Sequence, residues 1–303
     1  MKFYIQNIIL GLPIGVIWAL LATSVVMIYR ASRVLNLAVG GISMISAYML
    51  FQMANSERWG WPLPVAVVVA ILFAAAIGYV IERLLLRPLR DRPTLVSVIM
   101  TIGVLALTTE IASQVWSVDR QPAPNLLPTG AIRFWGIALG IDQILTFFIT
   151  LAIVGVVIYL FRATTLGVAM RAVSDDRRAA ALMGVPVDRV SSMTWIIGSV
   201  LGAVSGILVA PQIGLTPLGM VFQSIPALAA ALFGGLVSIE LAFIGAMVLG
   251  VMWSVLPGVE LGAWRLHDHV IGVQQIAIFA LVVLFLVLRW QTLFGSAAKE
   301  EEI

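Results

Sequence analysis

The fold of this protein is decided by two adjoining stretches, DQILTFFITLAIVGVVIYLF at residues 142–161 and RATTLGVAMRAVSDDRRAAALMGVPVDRVSS at residues 162–192. The first is almost wholly apolar, and about 20 apolar residues are what an α-helix needs to cross a bilayer. The second carries the charges that the first lacks. The pair predicts a membrane-spanning helix followed by a charged loop in water.

The composition extends this interpretation to the whole chain. Of 303 residues, 61% are apolar and 11% are charged, whereas soluble domains carry about 25% charged residues. An ordinary soluble enzyme is therefore excluded. The chain has no cysteine, which also excludes a disulfide framework and thiolate metal or redox chemistry.

Seven further apolar blocks have the same character as the first. Together the eight blocks place membrane segments at 7–29, 34–54, 63–81, 94–116, 142–161, 191–211, 225–257 and 270–289. The blocks are too long for barrel strands and lack their alternation, so they are helices. We expect an all-α, polytopic membrane protein with about eight transmembrane helices, folded as a single transmembrane domain over residues 1–303.

One block, residues 225–257, is too long for one crossing and is interrupted by Gly234 and Gly235. It predicts a broken or re-entrant segment, since unwound backbone at membrane depth survives only where protein or a water-filled cavity satisfies it. Counted as one crossing, the block leaves the C-terminal tail outside the cell. Counted as two, it leaves the tail inside.

The basic residues are distributed unevenly among the loops. Loops 30–33, 82–93 and 162–190 carry 2, 4 and 5 arginines, whereas the N-terminus and loops 55–62 and 117–141 carry 1, 1 and 2 basic residues. Arginine-rich short loops stay in the cytoplasm. We therefore expect the N-terminus outside and the loop 162–190 inside.

Within that loop, residues 170–183 predict a short amphipathic helix with Met170, Val173, Ala181 and Leu182 as its apolar stripe. Gly184 suits the position just after the last helical residue. Such a helix fits a groove on another protein. The alternative, a helix lying on anionic lipid, is less favoured because three aspartates lie among the arginines.

Polar residues inside membrane segments are costly and are candidates for a solute path. The candidates that the sequence offers are Asn36, Thr101, Thr108, Glu110, Gln223 and Glu240. An interfacial carboxylate is the alternative for Glu110, and a helix-start carboxylate is the alternative for Glu240. His267 and His269 are too few for a metal site without further ligands, so we expect no metal and no catalytic residues.

Gly198, Gly202 and Gly206 lie four residues apart and therefore on one helix face. Such faces allow close approach of two helices. Packing within one subunit is the favoured interpretation, and a dimer face is the alternative.

Four motifs in order resemble the LivH-type permeases of branched-chain amino acid ABC importers. They are GL at 11–12 with WAL at 18–20, ERLLLRPLRDRP at 82–93 with TIG at 101–103, RATTLGVAMRA at 162–172 with ALMGV at 181–185, and AALFGGL at 230–236 with SI at 238–239. The resemblance runs over nearly the whole chain. The sequence departs from it in two places. Val39 and Gly41 stand where the family has a histidine and an acidic residue, and the late motif, which often reads GGLGSI, has Val237 and then Glu240 here.

The resemblance implies a permease subunit of an ATP-driven importer, not an enzyme, in the inner (cytoplasmic) membrane. It implies a second permease subunit, two cytoplasmic ATPase subunits that hold ATP and Mg, and a solute-binding protein. The chain itself has no G-x-x-x-x-G-K-[ST] phosphate loop, so we expect no cofactor on it. The implied solutes are branched-chain amino acids, or relatives such as urea or short amides.

The resemblance also implies that the loop 162–190 contacts the ATPases. The residues that we expect at this contact are Met170, Arg171, Ala172, Asp175, Arg178, Ala181, Leu182, Met183 and Gly184. The chief alternative is a secondary transporter driven by an ion gradient, a class that often shows inverted repeats and buried ionisable residues.

Overall fold

The structure is a computed structural model that describes residues 2–90, 92–134, 137–258, 260–261, 264–265 and 273–294. Its helices are α1 (Lys2–Ser32), α2 (Val39–Ala54), α3 (Leu63–Val80), α4 (Thr94–Trp116), α5 (Ile141–Ala163), α6 (Thr165–Asp175), α7 (Arg177–Leu182), α8 (Val187–Ile213), α9 (Pro217–Phe222), α10 (Ser224–Phe233), α11 (Ile239–Val255) and α12 (Val273–Phe294). Two short antiparallel pairs join β1 (Ala131–Phe134) to β2 (Ile137–Gly140) and β3 (Glu260–Leu261) to β4 (Trp264–Arg265).

Five helical spans are long and apolar enough to cross a membrane: Tyr4–Ser32, Leu63–Leu89, Thr94–Trp116, Ile141–Ala163 and Val187–Ile213. The shorter apolar helices are Val39–Ala54, Pro217–Phe233 and Ile239–Val255. The protein is therefore a polytopic, all-α membrane protein, as the sequence predicts.

Helix α1 lies at the centre of the bundle. Its residues 16–22 are at most 1% exposed, and it packs against α11, α8, α10 and α5. A helix that is apolar on every side is stable only where it is surrounded. The crossing with α11 is close because a Cβ on Gly11 would lie 2.6 Å from the carbonyl oxygen of Gly250.

The glycine face of α8 packs inside this chain. A Cβ on Gly198 would lie 2.6 Å from a methyl carbon of Ile28 in α1, and Gly206 touches the backbone of Ser43 in α2. Packing within one subunit, the favoured interpretation of this face, is confirmed for Gly198 and Gly206.

The bundle has two chemically different ends. The arginine-rich end comprises the end of α1 and residues 81–90, 92, 162–192 and 234–240. The opposite end comprises residues 55–62, 117–134, 137–140 and 214–216. Gln121 and Leu215 pair there through two backbone hydrogen bonds of 2.9 and 3.0 Å. The positively charged loops therefore meet at one end of the bundle.

The segment that the sequence predicts as broken is indeed interrupted at Gly234 and Gly235. Gly235 has φ +62°, and its N–H donates to Leu232 at 2.8 Å, which ends α10. Ser238 then begins α11 by accepting from the N–H of Leu241 at 3.1 Å. The predicted start at residue 225 lies one residue after the start of α10 at Ser224. A short helix that the sequence analysis missed, α9, precedes it from Pro217, beside the Leu215 pair.

A second interruption, between α9 and α10, follows from Pro226. A proline inside a helix donates no hydrogen bond and its ring clashes with the carbonyl four residues earlier, here that of Phe222, where α9 ends. The two short helices together run from the opposite end to the arginine-rich end, and α11 runs back. The 225–257 region therefore contributes to two crossings.

Residues 82–89, predicted as part of a loop, are helical. Helix α3 continues as a π-helical turn over Ile81–Leu86 and a 3-10 turn over Arg87–Leu89. The extra residue in a π turn changes the direction in which a side chain points. Glu82 is turned inward by it and is 1% exposed, whereas Arg83 and Leu84 on the same turn are exposed.

Candidate functional site

The first part of the arginine-rich end is α6, which lies against the bundle. Its start is capped by Thr164, whose hydroxyl accepts from the N–H of Gly167 at 3.2 Å. Met170 and Val173 are 3% and 4% exposed and join the main core. Arg171 donates a hydrogen bond to the carbonyl of Phe161, the last aromatic residue of α5. These contacts fix α6 to the ends of the transmembrane helices.

Helix α7 follows after a break that the sequence analysis missed. The carboxylate of Asp176 accepts from the N–H groups of Arg178 and Ala179 at 2.7 and 2.9 Å. An aspartate that caps a new helix ends the previous one. The single helix predicted over residues 170–183 was therefore wrong, and two short helices occupy the region.

The end of α7 forms an exposed apolar tip, Leu182 and Met183, which are 89% and 84% exposed. Gly184 has φ +82°, and the N–H of Val185 donates to Ala180 at 3.0 Å. This is the glycine C-cap that the sequence predicts at Gly184. The cap ends the helix where its apolar side chains face away from the bundle.

The structure divides the predicted contact residues into two groups. Met170, Arg171 and Ala172 lie against the bundle, whereas Asp175, Arg178, Ala181, Leu182, Met183 and Gly184 are exposed. The predicted apolar stripe of Met170, Val173, Ala181 and Leu182 is thus not one face: its first half faces the core and its second half faces away. The break at Asp176 is the reason.

A cluster missed by the sequence analysis joins the turn after α3 to the start of α8. The buried carboxylate of Glu82 accepts from Arg90 at 2.7 Å and from the hydroxyl of Ser192 at 2.6 Å, and Arg87 lies 3.4 Å from it. Asp188 pairs with both arginines. We call these five residues the Glu82 cluster.

The Glu82 cluster connects the two longest arginine-rich loops mechanically. A buried carboxylate needs partners to offset its desolvation, so its arginines hold the turn over residues 81–89 against the first two turns of α8. The start of α8 lies only a few residues after Gly184. The one signal in the sequence is the spacing of Glu82, Arg87 and Arg90 within ERLLLRPLR.

Three of the predicted path residues, Asn36, Thr101 and Thr108, lie along the contact of α4 with α2 and the residues just before it. Thr101 accepts from the N–H of Leu37 at 3.3 Å, beside Asn36, and Thr108 packs on Gly41. Asn36 is fully buried, and its Nδ2 has no hydrogen-bond partner among the described residues.

Val39 and Gly41, which depart from the family pattern, are packing positions here. Val39 is 1% exposed and lies 3.6 Å from the Cβ position of Gly202. Gly41 has no room for a larger side chain beside Thr108. A histidine and an acid at these positions would need space that α4 and α8 occupy.

Gln223 lies at the interruption between α9 and α10, at a cavity of about 440 Å³. Its Oε1 accepts from the indole N–H of Trp18 at 2.9 Å. The ring of Trp18 meets that of Trp253 edge to face at 5.6 Å. Phe222, Pro226 and Ile278 also line the cavity, which is therefore mainly apolar, with the amides of Gln223 and Gln275 in its lining.

The two carboxylates among the predicted path residues lie elsewhere. Glu110 is exposed on α4 and accepts from Gln114 at 2.8 Å. Glu240 is in the first turn of α11 at the arginine-rich end, where it pairs with Arg162 at 2.5 Å. The six predicted path residues therefore lie in four separate places: the contact of α4 with α2, the cavity beside Gln223, the exposed face of α4, and the start of α11.

The residues that the structure describes contain no group of three or more His, Asp or Glu side chains placed to hold a metal ion. His267 and His269, considered as metal ligands in the sequence analysis, lie outside those residues.

The chain is similar to known proteins over most of its length. A family described as "Branched-chain amino acid transport system / permease component" matches residues 7–288. The chain is 29% identical to the high-affinity branched-chain amino acid transport system permease protein BraD of Pseudomonas aeruginosa, over 98% of each chain. It is 30% identical to the permease protein LivH of the corresponding system of Escherichia coli, over 82% of this chain and 84% of LivH.

A more distant similarity has a different solute in its name. The autoinducer 2 import system permease protein LsrC of Escherichia coli is 25% identical over 82% of this chain and 70% of LsrC.

Proposed function

The chain belongs to the permease components of branched-chain amino acid transport systems, and on that premise we propose that it forms half of an ATP-driven import pathway. It is a membrane permease subunit and not an enzyme. The other half of the pathway is a second permease subunit, identical or related. Two ATPase subunits on the cytoplasmic side hold the ATP and Mg, because this chain carries no phosphate loop.

The observation that carries the proposal is the exposed tip of Leu182 and Met183. These are the most exposed large apolar side chains among the described residues. They lie beside Arg178 and the capping Asp176, in a loop whose charges place it in water. Large apolar side chains exposed in a charged, aqueous loop favour a protein partner, and an ATPase subunit is the partner that this family membership suggests.

The force from the ATPases would reach the membrane through two connections. Helix α6 is fixed to α5 through Arg171 and Phe161, and the start of α8 is fixed to the turn after α3 through the Glu82 cluster. A rigid docked element with two such anchors can convert closure of the ATPase pair into movement of helices. The coupling is thus expected to act on α3, α5 and α8 together.

The solute class that we propose is a branched-chain amino acid, with urea or a short amide as the second possibility. The names of BraD and LivH support the first. The aromatic cavity beside Gln223 also suits an aliphatic side chain. The name of LsrC concerns a different solute, and we propose that a separate solute-binding protein determines specificity.

The membrane that we propose is the inner, cytoplasmic membrane, with the arginine-rich end in the cytoplasm. If the 225–257 region contributes to two crossings, the end of α12 lies on the cytoplasmic side as well. Helix α12 begins beside Trp253, near the opposite end, where Gln274 donates to the Trp253 carbonyl at 3.1 Å.

The experiment that tests the proposal is copurification of ATPase subunits with the tagged full-length chain from its native membrane. In the double variant Leu182→Asp, Met183→Asp we expect the ATPase yield to fall at least about tenfold, since two apolar contacts of a central patch are lost. The matched control is Val118→Asp, an exposed apolar residue at the opposite end. A wild-type yield from the double variant would contradict the proposed contact, and solute uptake driven by an ion gradient without any ATPase would favour the secondary transporter.

A further inference from the structure

A second cavity at the arginine-rich end, of about 160 Å³, is surrounded by arginines. Its lining residues are Arg30, Arg162, Arg171, Glu240, Phe161, Ile158 and Ile239. It lies where α1, α5 and α11 reach the end of the bundle and where α6 crosses them. Its lining therefore contains three guanidinium groups and one carboxylate.

Two of these arginines face the same ring. The guanidinium carbon of Arg30 lies 4.4 Å from the ring centroid of Phe161, and that of Arg171 lies 5.7 Å from it. The third arginine, Arg162, is paired with Glu240 at 2.5 Å. The two guanidiniums on the ring repel each other, and the cation–π contact only partly offsets that repulsion.

The charges around the cavity do not balance. Three arginines and one glutamate line it, which leaves an excess of two positive charges. Asp175 and Arg33 also act on Arg30, and because they carry one charge of each sign they leave that excess unchanged. The Nε of Arg30 is buried without a hydrogen-bond partner in the described part of the chain, while its NH1 donates to Val237 at 3.0 Å. A buried donor without an acceptor is costly, and an oxyanion in the cavity would satisfy it.

Exposed apolar positions on α5 and α11 extend from the cavity towards the middle of the bundle. Helices α5 and α11 both pack on α1. Positions three and four residues apart share a helix face, which places Gly155 and Leu151 below Ile158, and Ile244 and Val248 beyond Glu240. All four are exposed, and a Cβ on Gly155 would meet open space. Because both helices pack on α1, we infer that these positions line a groove between them, which we call the α5–α11 groove.

We propose that the cavity among Arg30, Arg162 and Arg171 binds the phosphate of an anionic glycerophospholipid whose acyl chains lie in the α5–α11 groove. Basic pockets between transmembrane helices at the cytoplasmic face are typical sites for such headgroups. The charge excess favours a lipid with net negative charge, since the ammonium group of a zwitterionic lipid would meet the arginines. Arg171 belongs to α6, so the bound phosphate joins α6 to α1 and α5.

The test uses the purified full-length chain in nanodiscs of phosphatidylcholine, titrated with phosphatidylglycerol. We expect one tightly retained phosphatidylglycerol per chain by native mass spectrometry and a rise in Tm that added phosphatidylcholine does not produce. Equal retention of the two lipids by the unaltered protein would overturn the proposal, and this comparison needs no variant.

Variants locate the site. In Arg30→Gln, Arg171→Gln we expect phosphatidylglycerol affinity to fall about tenfold to thirtyfold, because each arginine near an anionic headgroup contributes about fivefold. The matched control is Arg83→Gln, an exposed arginine that also stands over an aromatic ring, Tyr79 at 5.6 Å, but does not line the cavity. An equal loss in the control would show a general surface charge effect and would contradict the assigned site.

A last experiment distinguishes a lipid headgroup from free inorganic phosphate as the source of the bound phosphate. Millimolar inorganic phosphate in pure phosphatidylcholine nanodiscs is expected to raise Tm only slightly, because it gains nothing from the α5–α11 groove. Full stabilisation by inorganic phosphate alone would assign the cavity to a free anion and overturn the lipid proposal.

Discussion

Two arginine–carboxylate groups lie at the same end of this bundle and differ in burial. Glu82 is 1% exposed and meets two arginines and a serine hydroxyl. The side chains of Glu240 and Arg162 are 45% and 70% exposed. Water can replace the lost partner of an exposed charge but not that of a buried one. Arginine and glutamate therefore form a buried, stabilising cluster around Glu82 and a weak surface ion pair at Glu240.

The strongest way to test this difference is Glu82→Gln. We expect the free energy of unfolding to fall by about 3 kcal/mol, because Arg87 and Arg90 lose their shared buried carboxylate. The measurement is denaturant unfolding of the full chain in detergent. A loss no larger than that for Glu240→Gln would remove the distinction between the two groups.

The second test concerns Gly184, which lies in the chain between the exposed tip of α7 and the start of α8, where the Glu82 cluster is. Gly184→Pro forces φ from +82° to about −65° and is expected to cost about 2 kcal/mol of local stability. Solute-stimulated ATP hydrolysis by the assembled transporter should then be lost. Gly184→Asn is the control, since asparagine tolerates a positive φ. Normal coupling in the proline variant would contradict a role for the cap.

A smaller effect is expected for Ser192→Ala. Its hydroxyl donates to Glu82 at 2.6 Å, and a hydrogen bond to a charged group contributes about 1.5 kcal/mol or more. The same unfolding measurement checks it. In the Glu82→Gln background the cost of Ser192→Ala should shrink, and strict additivity would show that the two residues do not act as one cluster.

The smallest effect is expected for Glu240→Gln. An exposed ion pair contributes about 0.5 kcal/mol, so the loss should be near the limit of the unfolding measurement. Raising the salt concentration should abolish it, because screening weakens exposed pairs. A salt-independent loss above about 2 kcal/mol would mean that the pair is buried in the assembled transporter.

Much of the fold could be predicted from the sequence because the signals are local. The boundaries of α4 agree with the predicted segment 94–116 to the residue, since Pro93 and Trp116 mark both ends. The glycine cap at Gly184 and the interruption at Gly234 were likewise predicted from single residues with known backbone preferences.

The candidate site was less predictable because its contacts join distant parts of the chain. The helix over residues 170–183 was predicted as one piece, since apolar spacing outweighed the capping signal of Asp176. Ser192, the partner of Glu82, lies 110 residues away in the chain, and Asp188 lies 101 and 98 residues from its partners Arg87 and Arg90. Periodicity carries no information about such pairs.

By itself the sequence determined that this protein belongs in a bilayer, which loops carry its positive charge, and that its chain is interrupted at Gly234 and Gly235. These properties depend on runs of apolar residues and on backbone preferences within one helical turn. Only the tertiary structure decided which polar side chains meet: Glu82 with Ser192, Trp18 with Gln223, and Arg30 with Arg171 over one ring. These contacts depend on the angles and positions at which helices pack against each other. That packing is determined by side chains that lie far apart in the chain.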